Sequence, residues 1–129
     1  MNFHHVMSQY KDVDIISKVE GATKHEFIKI LLEELFVNLT VLSETIETKS
    51  KTSPQKSKSL AKIITSLSIL MQSLDFKSGE PIASNLFSLY DYCRRSVIDD
   101  YTSLKTDGIK SSAEVISDIL SAWNEITQK

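Results

Sequence analysis

The chain has 129 residues, of which 41% are hydrophobic and 25% charged, and its formal net charge is −2. This size and composition are those of one globular domain, and they exclude a wholly disordered chain. The near-neutral charge provides no strong field that attracts nucleic acid or anionic lipid, so we expect neither as a partner.

The composition also limits the fold class and the compartment. The single cysteine, Cys93, excludes a disulfide within the chain, which fits a reducing compartment. No apolar run is long enough to cross a bilayer, and residues 1–10 lack the basic and then apolar layout of a secretion signal. Three glycines and two prolines are too few for the turns of a strand-rich domain. We therefore expect a cytoplasmic, all-α protein with no membrane insertion.

Residues 1–21 carry only scattered apolar positions, so we interpret them as an N-terminal arm ahead of a helical domain over residues 22–129. The first helix is predicted from about Lys24 to Glu47. It begins at a capping box, Thr23 to Glu26, whose two side chains satisfy backbone N–H groups at the helix start. Apolar residues then follow at helical spacing. They are Phe27, Ile28, Leu31, Leu35, Leu39, Leu42 and Ile46.

A second helix is predicted to begin at Ser53-Pro54, because serine caps helices and proline suits the first helical position. Its apolar stripe matches the 3.6-residue period closely. The stripe comprises Leu60, Ile63, Ile64, Leu67, Leu70, Met71 and Leu74. The segment from Asp75 to Gly79 is predicted to end this helix.

A third helix is predicted to begin near Glu80-Pro81 and to carry apolar residues on two faces. The stripe predicted to be buried comprises Ile82, Leu86, Leu89, Cys93 and Val97. The second apolar surface comprises Phe87, Tyr90, Tyr92, Ile98 and Tyr101. Because a bundle cannot bury both faces internally, the excess is a candidate surface for a partner's amphipathic helix.

The fourth helix is predicted to follow a chain break at Thr106-Asp107-Gly108. A second capping box, Ser111 to Glu114, indicates its start. Its stripe comprises Val115, Ile116, Ile119, Leu120, Trp123 and Ile126. Four amphipathic helices with short connections favour an antiparallel up-down four-helix bundle.

The sequence contains none of the motifs that commonly indicate catalysis or metal binding. Glu-x-x-His, His-Glu-x-x-His, Cys-x-x-Cys, glycine-rich phosphate loops and Gly-x-Ser-x-Gly are all missing. His4 and His5 have no third ligand nearby, and Cys93 is interpreted as a buried apolar residue. His25 is interpreted as a solvated residue, with a phosphotransfer histidine as the alternative. We therefore predict no enzyme activity, no cofactor and no metal.

Two groups of basic residues are candidates for contacts with a partner. Four lysines between positions 49 and 58 lie in a Ser/Thr-rich loop and on an exposed face without interleaved aromatics, so we interpret them as solvated. Arg94 and Arg95 either pair with acidic residues of a partner or with Asp91 and Asp99 on neighbouring turns of their own helix.

Residues 73–95 contain an ordered series of short motifs: Ser-Leu-Asp, Gly, Ile-Ala, Asn-Leu, Leu-Tyr-x-Tyr and a pair of Arg. This series resembles the FliS family of flagellar export chaperones, in which the same elements recur in this order. Tyr10 stands where that family has an N-terminal tyrosine, and Ala122-Trp123 matches its last helix. Lys24 replaces the family's proline at the entry to the first helix, and residues 31–35 depart from the family's Leu-Tyr-Asp-Gly-Ala.

The resemblance implies a cytoplasmic type III export chaperone that binds the C-terminal helical segment of flagellin. Such a chaperone prevents premature polymerisation of flagellin and delivers it for secretion. We expect the chaperone to be a monomer or weak dimer, and other flagellar export components to be candidate further partners. The partner-binding residues that we predict are Tyr10, Phe27, Leu31, Ile82, Asn85, Leu86, Leu89, Tyr90 and Arg94. A further hypothesis is that the N-terminal arm occupies the partner groove when no partner is bound. The alternative function is a generic helical adaptor or self-associating bundle that binds another flagellar or regulatory protein.

Overall fold

The computed structural model describes residues 23–48 and 53–126, and every regular element in these two ranges is an α-helix. The helices are α1 (Lys24–Glu47), α2 (Pro54–Gln72), α3 (Ile82–Ser103) and α4 (Asp107–Glu125). The predicted all-α bundle is therefore confirmed for this part of the chain. The arm over residues 1–21, with His4, His5 and Tyr10, lies outside the described residues, as do Lys49 and Lys51.

The starts of α1 and α2 are set by residues next to them in the sequence. At α1 the Thr23 hydroxyl accepts a hydrogen bond from the Glu26 backbone N–H (3.2 Å), and the Glu26 carboxylate accepts one from the Thr23 N–H (3.1 Å). At α2 the Ser53 hydroxyl accepts from the Gln55 N–H (3.1 Å), and Pro54 takes the first helical position. Both predicted starts are correct because these capping signals are local.

The predicted start of α4 is wrong. The helix begins at Asp107, so Ser111 to Glu114 lie inside it, and Ser112 is fully buried. The cap comes from α3 instead: the Asp100 carboxylate accepts hydrogen bonds from the backbone N–H groups of Gly108 (2.6 Å) and Ile109 (3.1 Å). A Cβ atom at Gly108 would lie 3.0 Å from that carboxylate oxygen, so glycine permits the close approach.

We expect Asp100→Ala to lower the free energy of unfolding by about 1–2 kcal/mol, the usual cost of losing a helix cap. Urea denaturation followed by circular dichroism measures this loss. Asp99→Ala is the matched control, since Asp99 is exposed, and it should change stability by less than about 0.5 kcal/mol. Equal losses in the two variants would contradict the capping role.

The four helices form a closed ring in which α1 and α3 each pack against α2 and α4. Lys110, near the start of α4, contacts Glu47 at the end of α1 (2.5 Å). At the opposite end of α4, the Trp123 indole N–H donates to the His25 backbone oxygen at the start of α1 (3.0 Å). These two contacts make α1 and α4 antiparallel. None of the described helices is both long and apolar enough to cross a membrane.

The core runs along the bundle axis and takes its largest share from α1. The fully buried large side chains are Phe27, Leu31, Leu32, Leu35, Leu39, Leu42, Ile63, Leu67, Ile69, Leu70 and Ile109. Lys56 is also buried, contrary to its interpretation as solvated, and its ammonium lies 5.2 Å from the centroid of the Tyr101 ring. The long lysine side chain packs its methylene groups and directs its charge to an aromatic face.

The face of α3 that packs into the core differs from the predicted one. Cys93 and Val97 are buried as predicted, but Tyr90 is also buried (3% exposed), whereas Ile82 is 65% and Leu89 38% exposed. The inward stripe begins at Ala83 and continues through Leu86 to Tyr90, Cys93 and Val97. The prediction was wrong because two adjacent stripes of α3 are both apolar, and spacing alone does not decide which one faces the core.

Candidate partner-binding site

The two misassigned residues of α3 lie on the side that faces α4. Ile82 is about five helical turns, and Leu89 about three, before Asp100, so all three share one face of α3. Asp100 bonds to the start of α4. The exposed side chains of Ile82 and Leu89 therefore border the furrow between these two helices.

Helix α4 contributes the opposite side of this furrow. Val115 and Ile119 lie about two and three turns after Gly108, the residue that Asp100 contacts, so they face α3. Ile126 follows the last residue of α4, at the end of the bundle where α3 begins. Ile126 is 53% exposed, and Val115 and Ile119 are half-buried. We call the surface formed by these three residues with Ile82 and Leu89 the α3–α4 groove. All five of its side chains are aliphatic, which suits the apolar face of an amphipathic helix.

A cavity of ≈ 380 Å³ opens at the end of the bundle where α1 and α3 begin and α2 and α4 end. Its lining is mainly apolar. The lining residues are Lys24, His25, Ile28, Ser73, Leu74, Asp75, Gly79, Ile82, Ala83, Leu86, Tyr90 and Trp123. Because Ile82 borders both the cavity and the α3–α4 groove, the two features form one continuous candidate site.

His25 and Trp123 join α1 to α4 at the rim of this cavity. Their rings are stacked, with centroids 4.7 Å apart and an interplanar angle of 16°. The indole N–H also donates to the His25 backbone oxygen at 3.0 Å. The interpretation of His25 as a solvated surface residue is therefore wrong, because the ring is half-buried against an aromatic partner.

We expect Trp123→Phe to lower the free energy of unfolding by about 1 kcal/mol, because it removes the hydrogen bond to His25 while keeping an aromatic ring. Thermal unfolding followed by circular dichroism is the measurement. Tyr92→Phe removes a polar group from an exposed ring (41% exposed) and serves as the control. If the two variants unfold at the same temperature, the indole bond does not hold the helix ends together.

Two ionisable groups in the cavity wall, Asp75 and Tyr90, have shifted pKa values. The pKa of Asp75 is lowered by hydrogen bonds from the Ser78 hydroxyl and from the backbone N–H groups of Ser78 and Lys77. Burial raises the pKa of Tyr90 to about 12. Gly79 closes this turn, and a Cβ there would lie 2.5 Å from the Asp75 backbone oxygen. The cavity wall thus contains a tight turn, an ionised carboxylate and a neutral phenol.

The structure brings together only some of the predicted partner-binding residues. Ile82, Leu86 and Leu89 lie at the cavity and groove, and Asn85 is exposed one turn before Leu89. Tyr90 contacts the cavity but belongs to the core.

The other predicted residues lie elsewhere. Phe27 (1% exposed) and Leu31 (0%) are in the core, where a partner does not reach them in this conformation. Arg94 pairs with Asp91, one of its two predicted acidic neighbours, and Arg95 does so as well at 3.1 Å. The partial exposure of Val115, Ile119 and Ile126 was not predicted, because spacing alone does not show how deeply each residue of the α4 stripe packs.

Cys93 is buried, as interpreted from the sequence, and burial raises the pKa of its thiol. In residues 23–48 and 53–126 no cluster of three or more His, Cys, Asp or Glu side chains is arranged to hold a metal ion. The main features of the described surface are an aliphatic groove and an apolar cavity.

Comparison with known proteins identifies a family. Residues 6–129 match the family model described as flagellar protein FliS. A similar protein is the flagellar secretion chaperone FliS of Salmonella typhimurium strain LT2, which is 27% identical over 121 residues. That alignment covers 93% of this chain and 88% of the Salmonella protein. The match extends over all four helices.

Proposed function

Because the chain belongs to the FliS family of flagellar proteins, we propose that it is a secretion chaperone that binds the C-terminal helical segment of flagellin in the cytoplasm. Holding that segment prevents flagellin from polymerising before export and keeps it available to the flagellar type III apparatus. The observation that carries the proposal is the aliphatic α3–α4 groove, with Ile82, Leu89 and Ile126 exposed on a folded bundle.

The groove has the chemistry and the length to hold an amphipathic helix. The 22 residues of α3 and the 19 of α4 extend for about 30 Å, enough to support roughly five turns of a docked helix. Burying each large aliphatic side chain contributes about 1.5–3 kcal/mol, part of which offsets the ordering of the client. The expected affinity is therefore micromolar.

The continuous cavity and its rim add specificity to this mode of binding. An apolar side chain of the client enters the space beside Leu86 and Trp123, which is already formed in the folded bundle. Asn85 is exposed next to the groove, where its amide can bond to backbone groups of the client. A pre-formed pocket lowers the entropic cost of binding because its walls do not have to be ordered.

The test is titration of the full chain into a fluorescently labelled peptide from the flagellin C-terminus, followed by anisotropy. A scrambled peptide of the same composition is the control. We expect saturable binding at micromolar concentrations and a change in emission from Trp123, the single tryptophan, which lines the cavity. No binding at about 100 µM, or equal binding of the scrambled peptide, would overturn the proposal.

The exposed groove also supports the alternative of a self-associating bundle, since two copies can cover each other's aliphatic surface. Sedimentation velocity separates the two functions. The chaperone function predicts a protein that is mainly monomeric at about 50 µM and binds the peptide one to one. A stable dimer that Leu89→Asp dissociates, together with absent peptide binding, would favour self-association.

A further inference from the structure

A second cleft, of ≈ 480 Å³, opens between α1 and α4, and we call it the α1–α4 cleft. Its α1 side is formed by Phe36, Thr40 and Ser43, and its α4 side includes Ala113 and Ser117. Space remains here because most of these side chains are small, and the larger ring of Phe36 is 37% exposed. The hydroxyls of Thr40 and Ser43 donate to backbone oxygens of their own helix at 3.1 Å, so their hydrogens are already used.

Carboxylates flank the cleft on both helices. Glu114 and Asp118 belong to its α4 wall. On α1, Glu33 precedes Phe36 by three residues and Glu44 follows it by eight, so both point within about 80° of Phe36 around the helix axis. All four carboxylate side chains are exposed, and none of them forms an ion pair within the described part of the chain.

This side of the bundle has a negative net charge when all its charged residues are counted. Its cations are Lys29 and Lys110, and Lys110 is already paired with Glu47 at 2.5 Å. The acidic residues that line or flank the cleft are Glu33, Glu44, Glu47, Glu114, Asp118 and Glu125. Four further charges at the helix ends cancel in pairs, Lys24 with Glu26 and Lys105 with Asp107. The carboxylates therefore outnumber the cations along the described length of the cleft.

The α1–α4 cleft and the α3–α4 groove lie on different sides of α4. Ser117 lines the cleft, whereas Val115 borders the groove. Side chains two residues apart leave a helix about 200° from each other around its axis. A client helix that lies in the groove therefore leaves the cleft accessible.

Charge and shape together select the occupant of the cleft. The two rows of carboxylates repel nucleic acid and anionic lipid, and a second copy that docked through the same face would bring the same carboxylates. A helix with a narrow apolar stripe between lysines or arginines fits, because its stripe covers Phe36 and its cations reach both rows. Glu33 and Glu44 are about 16 Å apart along α1, which corresponds to about three turns of a docked helix.

We propose that the α1–α4 cleft binds a basic amphipathic helix of a second protein. Part of the binding energy is electrostatic, so the complex weakens as salt screens the exposed carboxylates. The proposal goes beyond the proposed function and does not rest on it, because the cleft and the α3–α4 groove are separate surfaces.

The probe is a designed, labelled helical peptide of about 18 residues, with leucines along one face and lysines on both flanks. We expect it to bind the full chain at tens of micromolar in about 50 mM salt, where screening is weak. Glu114→Gln/Asp118→Asn should weaken binding at least about tenfold, and Asp118→Asn alone about threefold. Asp99→Asn makes the same change at an exposed position of α3 and should stay within about 1.5-fold of the unmodified chain.

The apolar part of the cleft has its own matched pair of variants. Phe36→Ala should weaken binding of the lysine peptide at least about fivefold, because it removes the ring that the apolar stripe covers. Phe87→Ala removes a ring of similar exposure (40%) from α3 and should leave the affinity within about twofold. Circular dichroism verifies that each variant is folded.

A second peptide, with glutamates in place of the lysines, measures the charge preference. Binding of the glutamate peptide as tightly as the lysine peptide, or equal losses in the cleft variants and their α3 controls, would overturn the proposal. Displacement of the lysine peptide by the flagellin peptide would show that the cleft is part of the client site, which also overturns a separate partner. If the flagellin peptide does not bind at all, the proposed function fails, while the Glu114→Gln/Asp118→Asn result still decides the cleft.

Discussion

Replacing Tyr90 with alanine is expected to lower the free energy of unfolding by about 3–4 kcal/mol, the cost of deleting a large buried ring. The sequence predicts Tyr90 as a partner-binding residue. In the structure it is 3% exposed and packs in the core of the bundle. Loss of client binding in Tyr90→Ala would thus follow from loss of the fold.

Tyr92 provides the matched comparison, because it carries the same side chain on the same helix and is 41% exposed. Tyr92→Ala should change stability by less than about 0.5 kcal/mol. Urea denaturation of both variants, followed by circular dichroism, measures the difference. If Tyr90→Ala were as stable as Tyr92→Ala and yet lost the client, Tyr90 would act as a direct contact rather than as core.

The ionisation of Tyr90 gives an independent check of its burial. Its pKa is raised from 10.0 to about 12, because burial disfavours the phenolate. The unfolded chain therefore releases this proton at a lower pH than the native chain does. The stability linked to Tyr90 is fully present below about pH 10 and is lost as the pH rises toward 12. Tyr90→Phe, which keeps the ring, should lack this part of the alkaline destabilisation.

The sequence determined most of the fold because most of the helix boundaries depend on local chemistry. Thr23 with Glu26, and Ser53 with Pro54, each place a cap and its partner within one turn, so the pattern is visible without a structure. The start of α4 was predicted incorrectly because its cap, Asp100, belongs to the preceding helix. No spacing rule links a carboxylate in one helix to the first turn of the next.

The candidate site was harder to predict, because exposure is a property of packing rather than of residue type. Ile82 and Leu89 have the chemistry of core residues, and they form the exposed groove only because the inward position of α3 is taken by Tyr90. The contacts of His25 with Trp123 and of Lys56 with Tyr101 join distant parts of the chain. Neither of these contacts can be identified from the sequence alone.

One pair of substitutions on α3 tests whether the client lies only in the α3–α4 groove. Leu89 (38% exposed) and Ile98 (44% exposed) are aliphatic residues of the same helix, and they face α4 and α2 respectively. An aspartate at either position is tolerated by the fold, since the side chain reaches solvent. Each substitution should therefore report on the surface it occupies and on little else.

Leu89→Asp is expected to weaken binding of the flagellin C-terminal peptide by at least about 30-fold. The change removes an apolar contact worth about 1.5–3 kcal/mol and places a carboxylate against the client's apolar face, where it would be desolvated without a partner. Ile98→Asp, the same chemical change on the other side of α3, should leave peptide affinity within about twofold. Anisotropy titrations of both variants provide the measurement. Equal weakening by the two variants would mean that the client covers both sides of α3, and the separate groove would then be wrong.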